Sequence, residues 1–147
     1  MNGADVGRKA LILARRLGWR LEPSDVAVES LVPPLLAGAD VSVEAFADGL
    51  SAAADGAMAA RCADAAAAGR VLRYVARLQG GKASVGVSAV GVDTPLGRLT
   101  GADSMVEVTT AVYDATPLVI AGRGAGARAT ACGVIADLAE LADCARR

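Results

Sequence analysis

Two charged residues near the start of the chain, Asp5 and Lys9, stand four positions apart. At that spacing on a helix both side chains project from one face, so the carboxylate and the ammonium can meet. One interpretation is a surface ion pair that stabilises the helix by about 0.2–0.5 kcal/mol. The other is a lysine that the carboxylate orients beside a reacting oxygen, where it can donate or accept a proton. The spacing by itself leaves both interpretations open.

A second candidate is the glycine-rich segment of residues 122–126, which follows an apolar strand and precedes a helix. Glycines let a backbone approach a ligand closely, and the N–H groups at a helix start attract negative charge. A full dinucleotide fingerprint needs a further strand and an acidic residue about 20 positions later, and the helix predicted after Gly126 leaves no room for that strand. The segment is therefore either a cofactor contact or a tight strand-to-helix turn.

Cysteine and histidine usage excludes one class of site. The chain has no histidine, and its three cysteines, Cys62, Cys132 and Cys144, are far apart in sequence. Zinc sites of the Cys/His type are therefore not expected, and no metal site is predicted. Without histidine, proton transfer has to use lysine, a carboxylate, tyrosine or cysteine. An odd number of cysteines favours free thiols in a reducing compartment.

The charge balance excludes two classes of partner. With 15 basic and 16 acidic residues the net charge is −1, and no basic patch indicates nucleic acid or an anionic membrane. Charged side chains such as Asp5, Arg8 and Lys9 interrupt every apolar run that a signal peptide would need. No segment approaches the ~18 apolar residues of a membrane span. We expect a cytoplasmic protein, or an organellar one after processing.

The elements that must position these residues follow from hydrophobic periodicity. A helix is predicted from the apolar stripe Val6, Ala10, Leu13, Ala14 and Leu17, capped by Asn2 and ended by Gly18. The other predicted elements are a strand over 25–32, helices over 43–50 (capped by Ser42) and 52–68, strands over 71–78 and 83–92 joined by a turn, a helical turn over 94–99, strands over 105–112 and 117–121, and a helix over 129–145.

This order, αβααββββα, predicts an α+β fold: a largely antiparallel or mixed sheet with helices on one face. The chain shows no internal repeat and no linker, so residues 1–147 are expected to form one domain. Apolar residues make up 54% of the chain but aromatic residues only 3%, so the core is thin. Part of the apolar surface is therefore expected to need a partner chain or a further domain.

Five segments, in this order, resemble homoserine dehydrogenase, particularly the form at the C-terminus of bifunctional aspartokinase–homoserine dehydrogenases. The resemblance covers about residues 2–142 and is far more specific than either motif alone. The segments are NGADVGRKALILAR, SDVAVESLVP, AAAAGRVLRYV, GKASVGVSAVGVDTPLGRLTGADSMVEVTT and TPLVIAGRGAGARATACGVIADLAEL.

The resemblance implies a reaction and its site residues. Family members interconvert L-homoserine and L-aspartate 4-semialdehyde with NADP or NAD, in threonine, methionine and isoleucine biosynthesis. Lys9 matches the family's catalytic lysine, which gives a proton to the carbonyl oxygen, and Asp5 matches the neighbouring substrate-binding aspartate. Gly124, Ala125 and Gly126 match the loop that contacts the cofactor.

The resemblance also implies partners. The sheet would form a homodimer, and the whole chain would be the catalytic, substrate-binding and dimerisation domain. Its C-terminal helix, 129–145, is expected to pack toward a nucleotide-binding domain that has no counterpart in this chain. An aspartokinase is a further expected partner in the full-length protein.

Departures from the family limit these expectations. A family aspartate should stand immediately before Met1, which indicates that the chain begins inside a motif, as a truncated reading frame or a fragment. Arg123 replaces a residue that is usually proline, small or aromatic, Ser104 replaces an asparagine, and Thr94 replaces a histidine.

Without its nucleotide-binding half the chain is expected to be inactive alone. The alternatives are a non-catalytic oligomerisation module and an amino-acid-sensing regulatory domain.

Overall fold

The computed structural model describes residues 1–38 and 40–146 and divides the chain into two compact units, Met1–Val92 and Asp93–Arg147. The first unit contains α1 (Ala4–Arg16), β1 (Val26–Val28), α2 (Val43–Ala67), β2 (Arg70–Gln79) and β3 (Lys82–Gly91), with short 3-10 turns at Pro23–Asp25 and Pro34–Leu36. The second contains β4 (Asp103–Val108), β5 (Leu118–Arg123) and α3 (Ala127–Ala145).

The first unit is built on a three-stranded mixed sheet in the order β1-β3-β2. β1 pairs with β3 in parallel, and β2 pairs with β3 antiparallel along its whole length. The β2–β3 hairpin turns through Gly80 and Gly81, whose φ angles of 57° and 77° suit the two-residue turns that match strand twist. The predicted pair of strands over 71–78 and 83–92 is confirmed.

The core of this unit lies between α1 and the sheet. Its buried residues are Ala10, Leu11, Val26, Ala83 and Val85, with Val6, Leu21, Tyr74, Ala76 and Leu78 packed around them. The predicted helix stripe is partly wrong: Leu11 is 7% exposed, whereas Leu13 is 47% and Leu17 63% exposed. The buried face runs through Gly7, Ala10, Leu11 and Ala14 instead, because small residues allow the helix to lie close against the strands.

Three other boundaries of the first unit differ from the prediction. α2 is one continuous helix rather than two, and it is capped by the Ser42 hydroxyl as predicted. Ser51 lies within it and its hydroxyl donates to the Asp55 carboxylate. β1 ends at Val28, well before residue 32, because the Leu31 N–H bonds the Met1 carbonyl and the Val32 N–H bonds the Ser30 hydroxyl instead of a neighbouring strand. The residue that caps α1 is Gly3, and the Asn2 side chain accepts the Ala4 N–H at 3.1 Å.

The second unit is a β4–β5 hairpin and a helix. β4 ends at Val108 rather than 112 because the Thr110 hydroxyl accepts the N–H groups of Val112 and Tyr113, which closes a turn there. Residues 94–99 form the predicted helical turn, with the Arg98 N–H bonding the Thr94 carbonyl at 3.0 Å. The α+β prediction is confirmed, with two small sheets and three α-helices among the described residues. None of the described helices is long and apolar enough to cross a membrane.

Candidate active site

Asp5 and Lys9 lie together at the start of α1. The Lys9 Nζ is 2.9 Å from Asp5 Oδ2, and both side chains are 71% exposed. The hydrogen bond from Lys9 and then its positive charge hold the pKa of Asp5 below its usual value, with a smaller contribution from the charge of Arg8. The arrangement presents an oriented ammonium to solvent, where a ligand oxygen can reach it.

Two glycines allow this helix to pack closely against the sheet. Gly3 has a φ of 77°, and a Cβ built on it would lie 2.5 Å from Val28 Cγ1 and also overlap the Tyr74 hydroxyl. A Cβ on Gly7, one turn later, would lie 3.2 Å from Val28 Cγ2. The first two turns of α1 therefore rest directly on β1 through backbone atoms, while Asp5 and Lys9 project away from the sheet.

A shallow cavity of about 310 Å³ lies beside the same two turns, between α1 and β1. Its lining is largely apolar and includes Gly7, Leu11 and Val26, and its one charged side chain is Arg8. The Arg8 guanidinium is held on the helix by a bond from Nε to the Ala4 carbonyl at 3.3 Å. Asp5 and Lys9 do not line this cavity.

The glycine loop belongs to the second unit and connects β5 to α3. Gly126 caps α3 with a φ of 125°, which a side chain rarely allows, and its carbonyl accepts the Thr130 N–H at 3.0 Å. A Cβ on Gly122 or Gly126 would meet nothing within 4 Å, so the backbone there is open to close approach. A Cβ on Gly124 would instead overlap the Ser104 side chain. Gly124, Ala125 and Gly126 thus form the predicted strand-to-helix turn.

Glu29 makes several hydrogen bonds in the first unit that the sequence pattern did not predict. Its Oε1 accepts from Arg61 Nη1 at 2.8 Å, its Oε2 from the Val87 N–H at 2.7 Å, and its carbonyl from the Tyr74 hydroxyl at 2.6 Å. Its own N–H donates to the Val85 carbonyl at 2.8 Å. We call Glu29, Arg61, Tyr74 and Val87 the Glu29 cluster. The cluster joins the end of β1 to β2, β3 and α2.

The electrostatics of the cluster follow from these bonds. The Val87 N–H and then the Arg61 guanidinium hold the pKa of Glu29 below its usual value. Gly86 makes room for the carboxylate, since a Cβ there would lie 2.6 Å from Glu29 Oε2. The only signal in the sequence is an acidic residue directly after an apolar strand. Nothing in the pattern links it to Arg61, which is 32 positions away.

Metal-binding geometry is not found in the described part of the chain, where no three carboxylates or thiols converge. Cys62, Cys132 and Cys144 are exposed and unpaired with one another. The residues that the sequence singled out lie in two separate places: Asp5 and Lys9 in the first unit, and the glycine loop in the second.

Comparisons with known proteins indicate the family of the chain. The family model described as homoserine dehydrogenase matches residues 1–139. Bifunctional aspartokinase/homoserine dehydrogenase 2 of Zea mays, a chloroplastic protein, is 42% identical over 144 residues, which cover 97% of this chain and 16% of that protein. Homoserine dehydrogenase of Paracoccidioides brasiliensis is 38% identical over 144 residues, which cover 96% of this chain and 38% of that one.

The fold has a close counterpart among solved structures. A crystal structure of a protein of unknown function from Candida auris superimposes with a TM-score of 0.80 at 39% identity, over 97% of this chain and 40% of that one. The chain thus spans less than half the length of each of these three proteins. Because the family model matches nearly its whole length, the chain belongs to the homoserine dehydrogenase family.

Proposed function

We propose that this chain is the substrate-binding and dimerisation part of a homoserine dehydrogenase, which interconverts L-homoserine and L-aspartate 4-semialdehyde with NADP or NAD. The observation that carries the proposal is the Asp5–Lys9 pair, joined at 2.9 Å at the start of α1. The match to the homoserine dehydrogenase family over residues 1–139 supports it.

Lys9 is the proton-transfer residue in this proposal. Oxidation of homoserine removes a proton from its hydroxyl oxygen, and reduction of the aldehyde returns one to that oxygen. An ammonium placed beside the oxygen stabilises the negative charge that develops there and exchanges the proton. Asp5 binds substrate and keeps the Lys9 side chain in one orientation through their hydrogen bond. The exposure of both side chains leaves room for the substrate on that face of α1.

The glycine loop is the cofactor contact. A bound nicotinamide supplies the hydride-transfer chemistry, while the protein supplies orientation. Gly124, Ala125 and Gly126 would hold it through backbone contacts, and the open space at Gly126 and at Gly122 fits such an approach. The adenine end of the cofactor needs a nucleotide-binding segment, which we propose lies in the rest of a longer protein or in a partner chain.

The surface of α3 supports a partner of this kind. Val134, Ile135, Leu138 and Leu141 are between 54% and 65% exposed, and the described part of α3 has no buried residue. Large apolar side chains on one helix favour burial against another element. We propose that α3 packs toward the nucleotide-binding segment, and that an aspartokinase is fused upstream as in the maize relative, whose name gives both activities.

The sheet of the first unit is the proposed homodimer surface. Ser84 and Ser88 give β3 small side chains beside a shallow cavity of about 390 Å³, which Val75 and Arg77 of β2 also line. Small side chains allow two sheets to approach closely. The exposed thiols of Cys62, Cys132 and Cys144 favour a reducing compartment, and we propose the cytoplasm.

The test is homoserine-dependent reduction of NADP or NAD. The chain is assayed alone and then with a separately expressed nucleotide-binding half of a related homoserine dehydrogenase. That half is first shown to be competent by mixing it with the catalytic half of its own enzyme. We expect activity only on mixing, and none with the Lys9→Ala chain. A folded chain that stays inactive with a competent partner contradicts the proposal and favours an oligomerisation module or an amino-acid sensor.

A further inference from the structure

The hydroxyl of Tyr74 lies at the junction between the sheet and the start of α1. It donates to the Glu29 carbonyl at 2.6 Å. It also occupies the space in which a side chain on Gly3 would stand. Gly3 is the residue that caps α1, so a single hydroxyl on β2 lies against both the segment after β1 and the cap of the helix.

Two more contacts tie the same segments together. The Leu31 N–H donates to the Met1 carbonyl at 3.1 Å. The Val28 side chain also fills part of the space beside Gly3. The segment that receives these contacts is itself held by the Glu29 side chain, which is bonded to Arg61 of α2 and to the Val87 N–H of β3. The start of α1 therefore packs against the end of β1 and the segment after it, which contacts from β2, β3 and α2 hold in place.

We propose that Tyr74 is a positioning residue for the reaction: through Glu29 and Gly3 its hydroxyl sets where the first turn of α1 lies, and with it Asp5 and Lys9. This inference rests on the proposed function for the roles of those two residues. Asp5 stands two positions after Gly3, and its carboxylate carries the hydrogen bond to Lys9. A shift in the position of Gly3 therefore also displaces Asp5 and, through the hydrogen bond between them, Lys9.

The physical reason is the precision that proton transfer demands. Removal of the hydroxyl leaves the Glu29 carbonyl without its donor and opens a gap beside Gly3, into which the first turn of α1 can move. A misplacement of about 1 Å in an active site can cost about 100-fold in rate. We expect a smaller effect here, because the sheet contact at Gly7 remains.

The test compares Tyr74→Phe with Tyr113→Phe, which removes the chain's other tyrosine hydroxyl, in the second unit. Each chain is mixed with the competent nucleotide-binding half. For Tyr74→Phe we expect kcat to fall about tenfold and KM for homoserine to rise about fivefold, with KM for the cofactor unchanged. Tyr113→Phe should match the unsubstituted chain. If Tyr74→Phe only reduces the fraction of folded protein, the apparent kcat falls and neither KM changes. That result would overturn the proposal.

Amide hydrogen exchange separates this inference from the proposed function, since it needs no activity. In the chain alone, Tyr74→Phe should raise exchange about tenfold over residues 7–10, whose N–H groups bond the first turn of α1, and leave β2 and β3 protected. Equal protection of α1 in both variants and in the unsubstituted chain overturns the positioning role. If the unsubstituted chain is inactive with a competent partner, the proposed function fails, and the exchange result alone decides whether Tyr74 positions α1.

Discussion

Ser104 occupies the space that a side chain on Gly124 would need. A Cβ built on Gly124 would lie 2.8 Å from the Ser104 Cβ and still closer to its hydroxyl oxygen. Ser104 lies on β4 and pairs with Gly122 of β5, and Gly124, directly after β5, donates its N–H to the Ala102 carbonyl at 3.3 Å. The absence of a side chain at Gly124 is therefore explained by packing within the hairpin, apart from any cofactor.

Gly124→Ala should destabilise the second unit because the added methyl group collides with Ser104. Overpacking of this kind costs about 1–3 kcal/mol, measured as the change in the free energy of unfolding in urea. Ser104→Gly in the same chain should restore most of the loss. Gly122→Ala is the matched control, since a Cβ there meets nothing within 4 Å. Equal losses for Gly122→Ala and Gly124→Ala would show that the Ser104 contact is not the cause.

Gly126→Ala should also destabilise the loop, through backbone strain rather than collision. The φ of 125° at Gly126 is unfavourable for alanine by about 1–3 kcal/mol, while the space around it is open. Gly133→Ala is the control within the same helix, and it should stabilise α3 by about 0.5–1 kcal/mol because alanine favours a helix interior. Thermal unfolding of both variants measures the difference. An unchanged midpoint for Gly126→Ala would contradict the strain.

The same Gly126→Ala variant should raise KM for the cofactor in the complemented enzyme, because the loop backbone is the proposed contact. KM for homoserine should change little. A change confined to KM for homoserine would remove the loop from cofactor binding.

Lys9→Ala should abolish turnover with little loss of stability. The proton-transfer role predicts a fall in kcat of about 10²–10⁴-fold, whereas the exposed pair with Asp5 contributes only about 0.2–0.5 kcal/mol to the helix. Lys82→Ala is the matched control, because Lys82 is the chain's other lysine and lies at the β2–β3 turn. Steady-state kinetics of the complemented enzyme decide the question. A normal kcat in Lys9→Ala would exclude Lys9 from the mechanism.

Acid should destabilise the first unit partly through Glu29. The pKa of Glu29 is lower in the folded chain than in the unfolded chain. The ionised carboxylate therefore contributes its full stabilisation at pH values above its pKa in the unfolded chain, and this stabilisation is lost as the pH falls through its pKa in the folded chain. Glu29→Gln should therefore be less stable at neutral pH and lose less stability between about pH 6 and about pH 3.

The depressed pKa of Asp5 acts in the same direction, but it is common to both chains and cancels in the comparison. Urea midpoints across that pH range are the measurement, with Glu140→Gln on the exposed α3 as the control. Parallel pH curves for Glu29→Gln and the unsubstituted chain would contradict the assigned bonds.

Local interactions account for what sequence analysis predicted correctly. The Asp5–Lys9 contact needs only helical geometry, the Ser42 cap bonds an N–H three residues later, and two glycines close the β2–β3 hairpin. Each of these features depends on residues within a few positions of one another. The elements and the α+β class could therefore be deduced from pattern, and the family from the order of five segments.

Contacts between distant residues account for what was missed. The buried side of α1 follows Leu11 rather than Leu13, because packing against the sheet decides which of two apolar rows is covered. Glu29 meets Tyr74 45 positions later, a contact that exists only once β1, β2 and β3 are in register. The sequence by itself determined the local elements and the oriented lysine. Only the tertiary structure decided what holds that lysine in place, because strand register and helix packing arise from contacts that no local pattern encodes.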